Sequence, residues 1–293
     1  MKFSPAISAL IPNYNGVKLF EAYLPAVLTS LRDGDELIVV DDTSTDQSVE
    51  WLKAKFNCLS KVSPVAETLL FQGKFSQGSK TIVLKVLVNL KNQRFGMSCN
   101  RGVLVAAHDY IFLLNSDVAP HTDCLPPLLK HFDPDSEGRN VFGVGCLEIE
   151  TTNNNQKAGK QTMHFERGMF IHAKAANFKS GETAWVTGGS GLFSKAKWLE
   201  IGGFDKLYYP AYWEDIDLSF QASKRGWRVL FEADSVVDHN HETTNQTVFG
   251  QKKIEDMSWR NAKKFTWKNG HFWQKIAFLL WQPYWWWKRK SFG

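Results

Sequence analysis

Three short stretches of the chain share one pattern of hydrophobic and polar positions. Residues 6–15 (AISALIPNYN), 35–46 (DELIVVDDTSTD) and 109–117 (DYIFLLNSD) each run apolar for four to six residues and then stop on Asn or Asp. Short apolar runs bounded by polar turns are typical of strands buried on both faces of a parallel sheet. The pattern therefore predicts three parallel strands.

Segments with helical spacing lie between these strands. Residues 44–56 (STDQSVEWLKAKF) begin with N-cap candidates and place Val49, Leu52 and Phe56 at helical spacing, and residues 97–107 form a second predicted helix. Alternating strands and helices predict an α/β sheet with right-handed crossovers. Because ligands of such sheets bind beyond the carboxyl ends of the strands, the acids and amides at those ends mark the expected site.

The remainder of the chain has weaker patterns. Residues 57–80, with Gly73 and Gly78, predict an irregular insertion, and residues 151–161 predict a polar loop. After about residue 250 the sequence becomes basic and aromatic. Nothing in these segments suggests an internal repeat.

Composition and charge exclude several classes of protein. The net charge of +5 over 293 residues is mild, which favours phosphates or an anionic membrane surface over nucleic acid as a partner. The four cysteines are widely spaced without a CxxC pair, which argues against a zinc site or a disulfide scaffold and favours a cytoplasmic location. The N-terminal segment lacks the apolar core of a signal peptide, and no apolar run reaches the ~18 residues of a membrane span.

The acidic pair Asp41-Asp42 ends the second predicted strand. One carboxylate at this position can accept hydrogen bonds from a nucleotide base or ribose. Alternatively, Asp42 and Thr43 cap the following helix. The residues alone leave both interpretations open.

Two further motifs are candidates for holding a cation. The segment 115–117 (NSD) places a carboxylate after a buried strand, where it suits the oxygen-preferring ions Mg²⁺ and Mn²⁺ or, alternatively, a simple Asx-turn. The segment 239–241 (HNH) supplies two histidines on opposite faces of an extended segment, so that only one would be a ligand; alternatively, they are ordinary surface or core residues.

The stretch 208–227 (YYPAYWEDIDLSFQASKRGW) combines aromatic rings with the acids Glu214, Asp215 and Asp217. It predicts a helix that ends at Gly226. The helix dipole favours acids in the first turn, which explains Asp217 without a catalytic role. Aromatic walls raise the pKa of a carboxylate and make it a better base, which favours chemistry at the preceding pair. The segment GGSG lacks the Lys-Ser/Thr ending of a phosphate loop and predicts a turn of close backbone approach that lines an acceptor site.

In this order and spacing, the motifs resemble those of the family-2 glycosyltransferases with the GT-A fold, over about residues 5–268. The matching segments are IPNYNG, VVDDTSTDQS, NQRFGMSCNRGV, YIFLLNSD, GGSGLFSKAKWLEIGGFD and YWEDIDLSFQASKRGW. Within that family, the chain is most similar to the rhamnosyltransferase-type branch that builds bacterial surface polysaccharides.

The resemblance implies an α/β fold with a Rossmann-like, mostly parallel central sheet flanked by helices and a C-terminal helical, aromatic extension. It divides the chain into a nucleotide-sugar-binding half (1–130), an acceptor-binding and catalytic half (131–250) and a tail (251–293). It further implies metal-dependent, inverting transfer of a hexosyl or deoxyhexosyl group. The donor would be a UDP-, dTDP- or GDP-sugar, the metal Mn²⁺ or Mg²⁺, and the acceptor a hydroxyl of a glycan or lipid-linked molecule.

The resemblance also assigns roles to individual residues. Asp215 matches the catalytic base, and its neighbour Glu214 is expected to support the site or orient the acceptor. Asp117 matches the metal-binding acid, His239 matches a histidine that supports the metal and diphosphate, and His241 is the second choice. The residues expected to bind the nucleotide-sugar are Pro12, Tyr14, Asn15, Asp42, Asn92, Gly96, Asn100, Arg101, Asn115 and Ser116. Gln221 departs from the family, whose members usually carry Arg there; Lys224 or Arg225 could supply the missing cation.

The tail and the activity each leave an alternative open. Residues 271–290 (HFWQKIAFLLWQPYWWWKRK) favour peripheral attachment to an anionic membrane, at the inner face of the cell membrane, or else docking on the domain or a dimer contact. A non-catalytic carbohydrate- or nucleotide-binding module on the same fold is the alternative to an enzyme. The retained set Asp42, Asp117, Asp215 and His239 favours the enzyme.

Overall fold

A mixed, twelve-stranded sheet forms the centre of the part of the chain that the structure describes. The structure is a computed structural model that describes residues 3–135, 140–151, 154–240 and 249–292. The strand order is β12-β14-β8-β13-β6-β1-β2-β5-β4-β3, with β7 paired to β14 and β9 paired to β8, and β10 and β11 form a separate hairpin.

The strands are β1 Ser8–Asn13, β2 Glu36–Asp41, β3 Leu59–Lys61, β4 Thr68–Gln77, β5 Lys80–Asn89, β6 Tyr110–Leu114, β7 Val118–Pro120, β8 Val141–Glu150, β9 Gln156–Ala158, β10 Gln161–Glu166, β11 Met169–Lys174, β12 Gly181–Glu182, β13 Ser190–Ser194 and β14 Arg228–His239. The helices are α1 Val17–Ser30, α2 Ser48–Lys55, α3 Arg94–Val105, α4 Leu125–Leu129, α5 Lys195–Ile201, α6 Glu214–Lys224, α7 Gln251–Asn269 and α8 Phe272–Phe292. Short 3-10 turns occupy Lys130–Phe132 and Lys206–Tyr208.

The three predicted parallel strands are confirmed as β1, β2 and β6. Strand β1 lies between the other two and pairs in parallel with both. Alternate residues of β1 enter different hydrophobic cores: Ala9 and Ile11 pack on one face of the sheet and Leu10 on the other. Burial on both faces explains why the sequence shows continuous apolar runs here instead of alternation.

The prediction of an irregular insertion over residues 57–80 is wrong. Strands β3, β4 and β5 form an antiparallel extension of the sheet at its edge. Gly73, which suggested a break, lies inside β4, where a Cβ atom would come 2.2 Å from the carbonyl oxygen of Phe56. Glycine therefore permits the close approach of another backbone segment instead of ending the strand.

Helix α3 packs tightly on the sheet at Gly102. A Cβ atom at this position would lie 2.3 Å from Leu10 Cδ1 and 2.8 Å from Val40 Cγ2. Both neighbours are fully buried on β1 and β2, so neither can move without disturbing the core. The glycine thus fixes how closely α3 approaches the strands whose ends form the site.

We expect Gly102→Ala to lower the free energy of unfolding. Overpacking a core costs about 1–3 kcal/mol, which exceeds the roughly 1 kcal/mol that Ala gains over Gly inside a helix. Urea denaturation measures the difference. Leu104→Ala, at a position 56% exposed on the same helix, serves as the control and should change stability less. An unchanged or raised urea midpoint in Gly102→Ala would show that Leu10 and Val40 move aside for the added methyl group without cost.

The central sheet and helix α7 connect the three predicted segments, 1–130, 131–250 and 251–293. Strand β6 pairs with β13, which pairs with β8, so the sheet continues across the expected division at residue 130. Helix α7 buries a stripe of residues against the domain: Met257, Asn261, Ala262, Phe265 and Thr266. Among the described residues, no helix is both long and apolar enough to cross a membrane.

Candidate active site

A cavity of about 300 Å³ opens at the carboxyl ends of β1, β2 and β6, where the chain direction predicted a site. Eight of the predicted site residues line it: Pro12, Tyr14, Asp42, Asn92, Asn115, Ser116, Asp117 and His239. The walls are completed by Asn13, Arg94, Phe95, Ser98, Pro210, Ala211, Tyr212 and Phe249. We call it the first cavity.

Four predicted nucleotide-binding residues do not line this cavity. Their contacts are structural: Asn15 Oδ1 accepts from the N–H of Thr45 (2.7 Å), Gly96 packs on Phe204, Asn100 Oδ1 accepts from the N–H of Phe204 (2.9 Å), and Arg101 Nη1 donates to Asn89 Oδ1 (2.8 Å). Each contact holds a loop that carries a lining residue. Their assignment as direct ligands therefore has no support from the position of their side chains.

The structure places Asp42 at the wall of the first cavity and contradicts the prediction that it caps the following helix. It lines the first cavity, and it also accepts the N–H groups of Gln93 and Arg94, each at 2.7 Å, at the start of α3. Asn89 Nδ2 donates to the same carboxylate at 2.9 Å. Asp42 thus caps α3, not the helix that follows it in sequence, and fixes the loop that forms one wall.

Arg94 is a lining residue that the sequence did not indicate. Its backbone is left-handed, with φ of 64°, because its N–H points to Asp42. Its Nε atom is buried and has no hydrogen-bond partner among the described residues, and its guanidinium lies 5.6 Å from the ring centre of Phe249. A buried donor without a partner is costly, so the position suits an anionic group in the cavity.

Asp117, His239 and Glu148 form a buried line of polar groups at the junction of β14, β8 and the end of β6. His239 Nε2 lies 3.4 Å from Asp117 Oδ1, and His239 Nδ1 lies 3.3 Å from Glu148 Oε2. Glu148 in turn accepts hydrogen bonds from the hydroxyls of Thr187 and Ser190. Glu148 was not predicted, because a lone Glu in an apolar strand carries no sequence signal of its own.

The electrostatics of this line favour a charged imidazole between two carboxylates. Burial alone would lower the pKa of His239, but its hydrogen bonds to the carboxylates of Asp117 and Glu148 raise it to about 10. Burial alone would raise the pKa of Glu148, but His239 and the two hydroxyls lower it to about 2. The same two negative groups that favour a proton on His239 also favour a metal cation there.

The donor set fits a hard divalent cation. A carboxylate oxygen and an imidazole nitrogen face each other, and the second imidazole nitrogen is oriented by Glu148, an arrangement common among metal-binding histidines. Within the described ranges, no cluster of three or more His, Cys, Asp or Glu side chains could hold a metal ion. Asp117 and His239 would therefore supply only part of the shell of such a cation, which phosphates and waters commonly complete. His241 lies outside the described residues.

A second cavity of about 430 Å³ adjoins the first. It contains Asp215 and Glu214, together with Gly188 and Gly189 of the predicted close-approach turn. Both cavities share the wall residues Phe95, Asn115, Ala211, Tyr212 and His239. The carboxylates at positions 117 and 215 thus line two adjacent cavities that share a wall.

The two catalytic candidates differ in their hydrogen bonding. Asp215 accepts the N–H of Gly188 at 3.3 Å and the N–H of Ile216 at 2.8 Å. Burial raises the pKa of Asp215 in spite of these bonds. Burial, followed by the neighbouring Asp215, raises the pKa of Glu214, whose Oε2 has no hydrogen-bond partner among the described residues. The pair therefore favours a proton on Glu214 and the negative charge on Asp215.

Asp217, the third acid of the stretch, has a structural role. It is 3% exposed and pairs with Lys268 Nζ at 2.7 Å and Asn269 Nδ2 at 2.8 Å. Gln221 Nε2 donates to Asn269 Oδ1 at 2.8 Å. The cation that pairs with Asp217 thus comes from Lys268 of α7.

The segment before the two acids has an unusual backbone. Tyr212 and Trp213 have φ of 75° and 79°, in the left-handed region that costs an L-residue roughly 1–2 kcal/mol. This turn aims the start of α6 at the crevice. Trp213 packs against Phe265 of α7 and His172 of β11, and its Nε1 donates to Ser258 Oγ at 3.2 Å. The aromatic residues beside the acids thus hold a strained turn in place.

The sequence of the chain is similar to those of known glycosyltransferases and polysaccharide synthases. The sequence model of glycosyl transferase family 2 matches residues 8–198. The chain is similar to poly-beta-1,6-N-acetyl-D-glucosamine synthase of Staphylococcus aureus, at 22% identity over 227 residues, which are 77% of this chain and 48% of the synthase. It is also similar to the O-antigen chain rhamnosyltransferase RfbN of Salmonella typhimurium, at 23% identity over 250 residues, covering 83% of this chain and 69% of the relative. The chain thus spans about half the length of the synthase.

Solved structures resemble the chain in fold. The mannosyltransferase PcManGT of Pyrobaculum calidifontis, in complex with GDP-Man and Mn²⁺, superposes with a TM-score of 0.61 at 14% identity over 92% of this chain and 66% of that one. Staphylococcus aureus TarS, in complex with UDP-GlcNAc, superposes with a TM-score of 0.54 at 14% identity over 89% of this chain and 66% of that one. The predicted α/β fold class, a GT-A fold, is confirmed; in its large central sheet, β6, β1, β2 and β5 are neighbours that pair in parallel.

Proposed function

The chain belongs to glycosyl transferase family 2, and from that premise we propose that it transfers a sugar from a nucleotide-diphosphate sugar to a hydroxyl of a glycan or lipid-linked acceptor, with inversion. One observation carries the proposal. The cavity at the strand ends, which contains Asp117, and the cavity that contains Asp215 share a wall. A sugar at their junction would have its leaving group on one side and its incoming hydroxyl on the other, as an in-line displacement requires.

The first cavity is proposed to hold the donor. Tyr14 and Pro12 offer an apolar surface for the base, and Asp42 offers a carboxylate acceptor beside them. Arg94 supplies a guanidinium for the diphosphate, and the amides of Asn92 and Asn115 supply further polar contacts. Solved neighbours of this fold hold UDP-GlcNAc or GDP-Man, which supports a nucleotide-sugar as the ligand class.

Asp117 and His239 are proposed to hold a divalent cation, Mn²⁺ or Mg²⁺, beside the diphosphate. When bound, such an ion stabilises the negative charge that develops on the departing diphosphate. Glu148 would orient His239 through Nδ1. Solved neighbours that contain Mn²⁺ support an ion of this kind.

Asp215 is proposed to act as the general base. It would take the proton of the acceptor hydroxyl while that oxygen forms a bond to the anomeric carbon. The bond from the anomeric carbon to the phosphate oxygen breaks at the same time, and the nucleoside diphosphate leaves with the electron pair. The N–H groups of Gly188 and Ile216 fix the orientation of the carboxylate, and protonated Glu214 limits the charge beside it.

A donor screen tests the proposal. Purified full-length chain is incubated with UDP-, dTDP- and GDP-sugars, with and without Mn²⁺, and thermal shift and nucleoside diphosphate release are measured. Stabilisation by one donor class together with metal-dependent release supports a transferase. Stabilisation without release, even with acceptor glycans added, would instead indicate the non-catalytic binding module.

Helix α8 is proposed to attach the protein to a membrane surface. One face of α8 docks on the domain, where Trp285 Nε1 donates to the carbonyl of Arg167 at 2.7 Å. The opposite face presents six large apolar side chains that are 58% to 74% exposed: Phe272, Trp273, Leu279, Leu280, Trp286 and Trp287. The helix contains no acid but several Lys and Arg residues. An apolar, Trp-rich and basic face fits an anionic bilayer interface.

We expect Leu280→Glu to weaken binding to anionic vesicles about tenfold or more. Burying a Leu side chain contributes about 1.5–3 kcal/mol, and the added negative charge opposes the lipid headgroups. Flotation with phosphatidylglycerol-containing vesicles measures the bound fraction. Val62→Glu, at a position 94% exposed on the connection between β3 and β4, adds the same charge elsewhere and should leave binding unchanged. Equal flotation of both variants would argue against attachment through α8.

A further inference from the structure

The turn that aims the catalytic candidates at the crevice is held by one side chain of α7. Asn261 is fully buried, and its Nδ2 donates to the carbonyl oxygens of Tyr208, Ala211 and Tyr212, each at 2.9 Å. A side-chain amide has two N–H bonds, so one of them is shared between two carbonyls. All three acceptors belong to the segment that ends just before Glu214.

The neighbours of Asn261 on α7 contact the same segment. Ser258 accepts from Trp213, Arg260 Nη2 donates to the carbonyl of Tyr209 at 3.1 Å, and Lys264 Nζ donates to the carbonyl of Leu207 at 2.7 Å. These contacts lie at the rim, whereas Asn261 lies at the centre of the interface. The buried amide is therefore the contact that water cannot replace.

We propose that Asn261 is a positioning residue for the transfer reaction: it holds residues 208–213 in the conformation that presents Asp215 to the acceptor. Asn261 lines neither cavity, so it acts through the turn and not on a substrate. The left-handed backbone of Tyr212 and Trp213 relaxes unless the carbonyls beside it are held. This inference rests on the proposed transferase function and adds a residue that lies 46 positions after the base, outside the matched family segment.

The test compares Asn261→Leu with Thr266→Val in the full-length chain. Leu retains the approximate size of Asn but cannot donate a hydrogen bond. Thr266 is equally buried on α7, and its Oγ1 accepts from the N–H of Phe170, so its replacement breaks a hydrogen bond on the same helix away from the turn. Turnover, donor KM and hydrogen exchange of residues 208–217 are measured for both variants.

We expect kcat to fall about 10- to 100-fold in Asn261→Leu, because small misplacements of catalytic groups have effects of this size, with a smaller change in donor KM. Amides of 208–217 should exchange faster than in Thr266→Val, which should keep kcat within about twofold of the wild type. Wild-type kcat in Asn261→Leu, or unchanged exchange in 208–217, overturns the proposal.

A second variant, Asn261→Asp, keeps the proposal testable if Asn261→Leu does not fold. Asn261→Asp keeps the shape of the side chain and, when protonated, one hydrogen-bond donor. Its kcat should therefore lie between those of Asn261→Leu and Thr266→Val. It should fall as the pH rises, because the ionised carboxylate repels the three carbonyl oxygens. A pH profile identical to that of the wild type overturns the proposal. If the wild type transfers no sugar, the proposed function fails, whereas the hydrogen-exchange comparison still decides whether Asn261 holds the turn.

Discussion

Replacing Asp215 by Asn is expected to slow sugar transfer by about 10²–10⁴-fold, the usual contribution of general-base assistance. The amide keeps the size of the carboxylate. The N–H groups of Gly188 and Ile216 bind different oxygens of Asp215, and an amide has one acceptor oxygen, so one of the two hydrogen bonds is kept and the stability of the variant is measured beside its rate. Affinity for the donor should remain, because Asp215 faces the second cavity. Steady-state rates and calorimetric titration with a nucleoside diphosphate measure the two effects.

Asp217→Asn is the matched control for this experiment. Asp217 lies on the same turn of α6 but pairs with Lys268. Its replacement should therefore lower the free energy of unfolding and leave kcat nearly unchanged. Full activity in the Asp215 variant would refute its assignment as the base.

The pH dependence of turnover supplies an independent check on the same residue. Burial raises the pKa of Asp215 above its ordinary value of 3.8. A general base must be deprotonated, so kcat falls as the pH falls through this raised pKa, and the acidic limb of the profile lies above pH 3.8. The limb should vanish in Asp215→Asn.

The second large effect is expected at Asp117. Asp117→Asn removes a negative ligand and should reduce the metal-dependent part of donor affinity by at least about 10–100-fold, the range seen when residues that only support metal ligands are altered. Titration with a nucleoside diphosphate in the presence and absence of Mn²⁺ measures it. Without metal, the variant and the wild type should bind the nucleotide alike.

Asp238→Asn is the control for the metal site. Asp238 precedes His239 in β14, but its exposed side chain pairs with His121 at 3.3 Å, away from the crevice. Its replacement should leave the metal dependence unchanged. Equal metal-dependent affinity in the Asp117 variant and the wild type would remove Asp117 from the metal site.

The sequence predicted those features that depend on local pattern and chain direction. Continuous apolar runs identified β1, β2 and β6, and their polar ends identified Asp42, Asn115 and Asp117 as neighbours. This inference succeeds because parallel strands bring equivalent ends to one edge of a sheet. By contrast, β4 is half-exposed and contains a glycine, so its pattern resembled a loop.

The residues that sequence reasoning missed act through contacts between distant segments. Glu148 and His239 are 91 residues apart, and Asn261 and Tyr208 are 53 apart. Neither Glu148 nor Asn261 belongs to a motif, so their value appears only after the strands and helices are packed. Asn100 is the opposite case: it lies within a matching motif, but its hydrogen bonds in this structure are to the backbone of Phe204.

The dependence of the active turn on α7 determines how the protein can be shortened. Trimming the chain to residues 8–198, the part matched by the family, would retain the walls near Tyr14 and Asp42 but discard both carboxylates of α6 as well as His239. Stopping at residue 250 would restore those groups but would leave the strained turn without the hydrogen bonds that Asn261 donates to it. A fragment that keeps Asn261 with the whole of α7 therefore extends to Asn269, and it would still lack Trp285 of α8, which packs in the same hydrophobic cluster as Trp213.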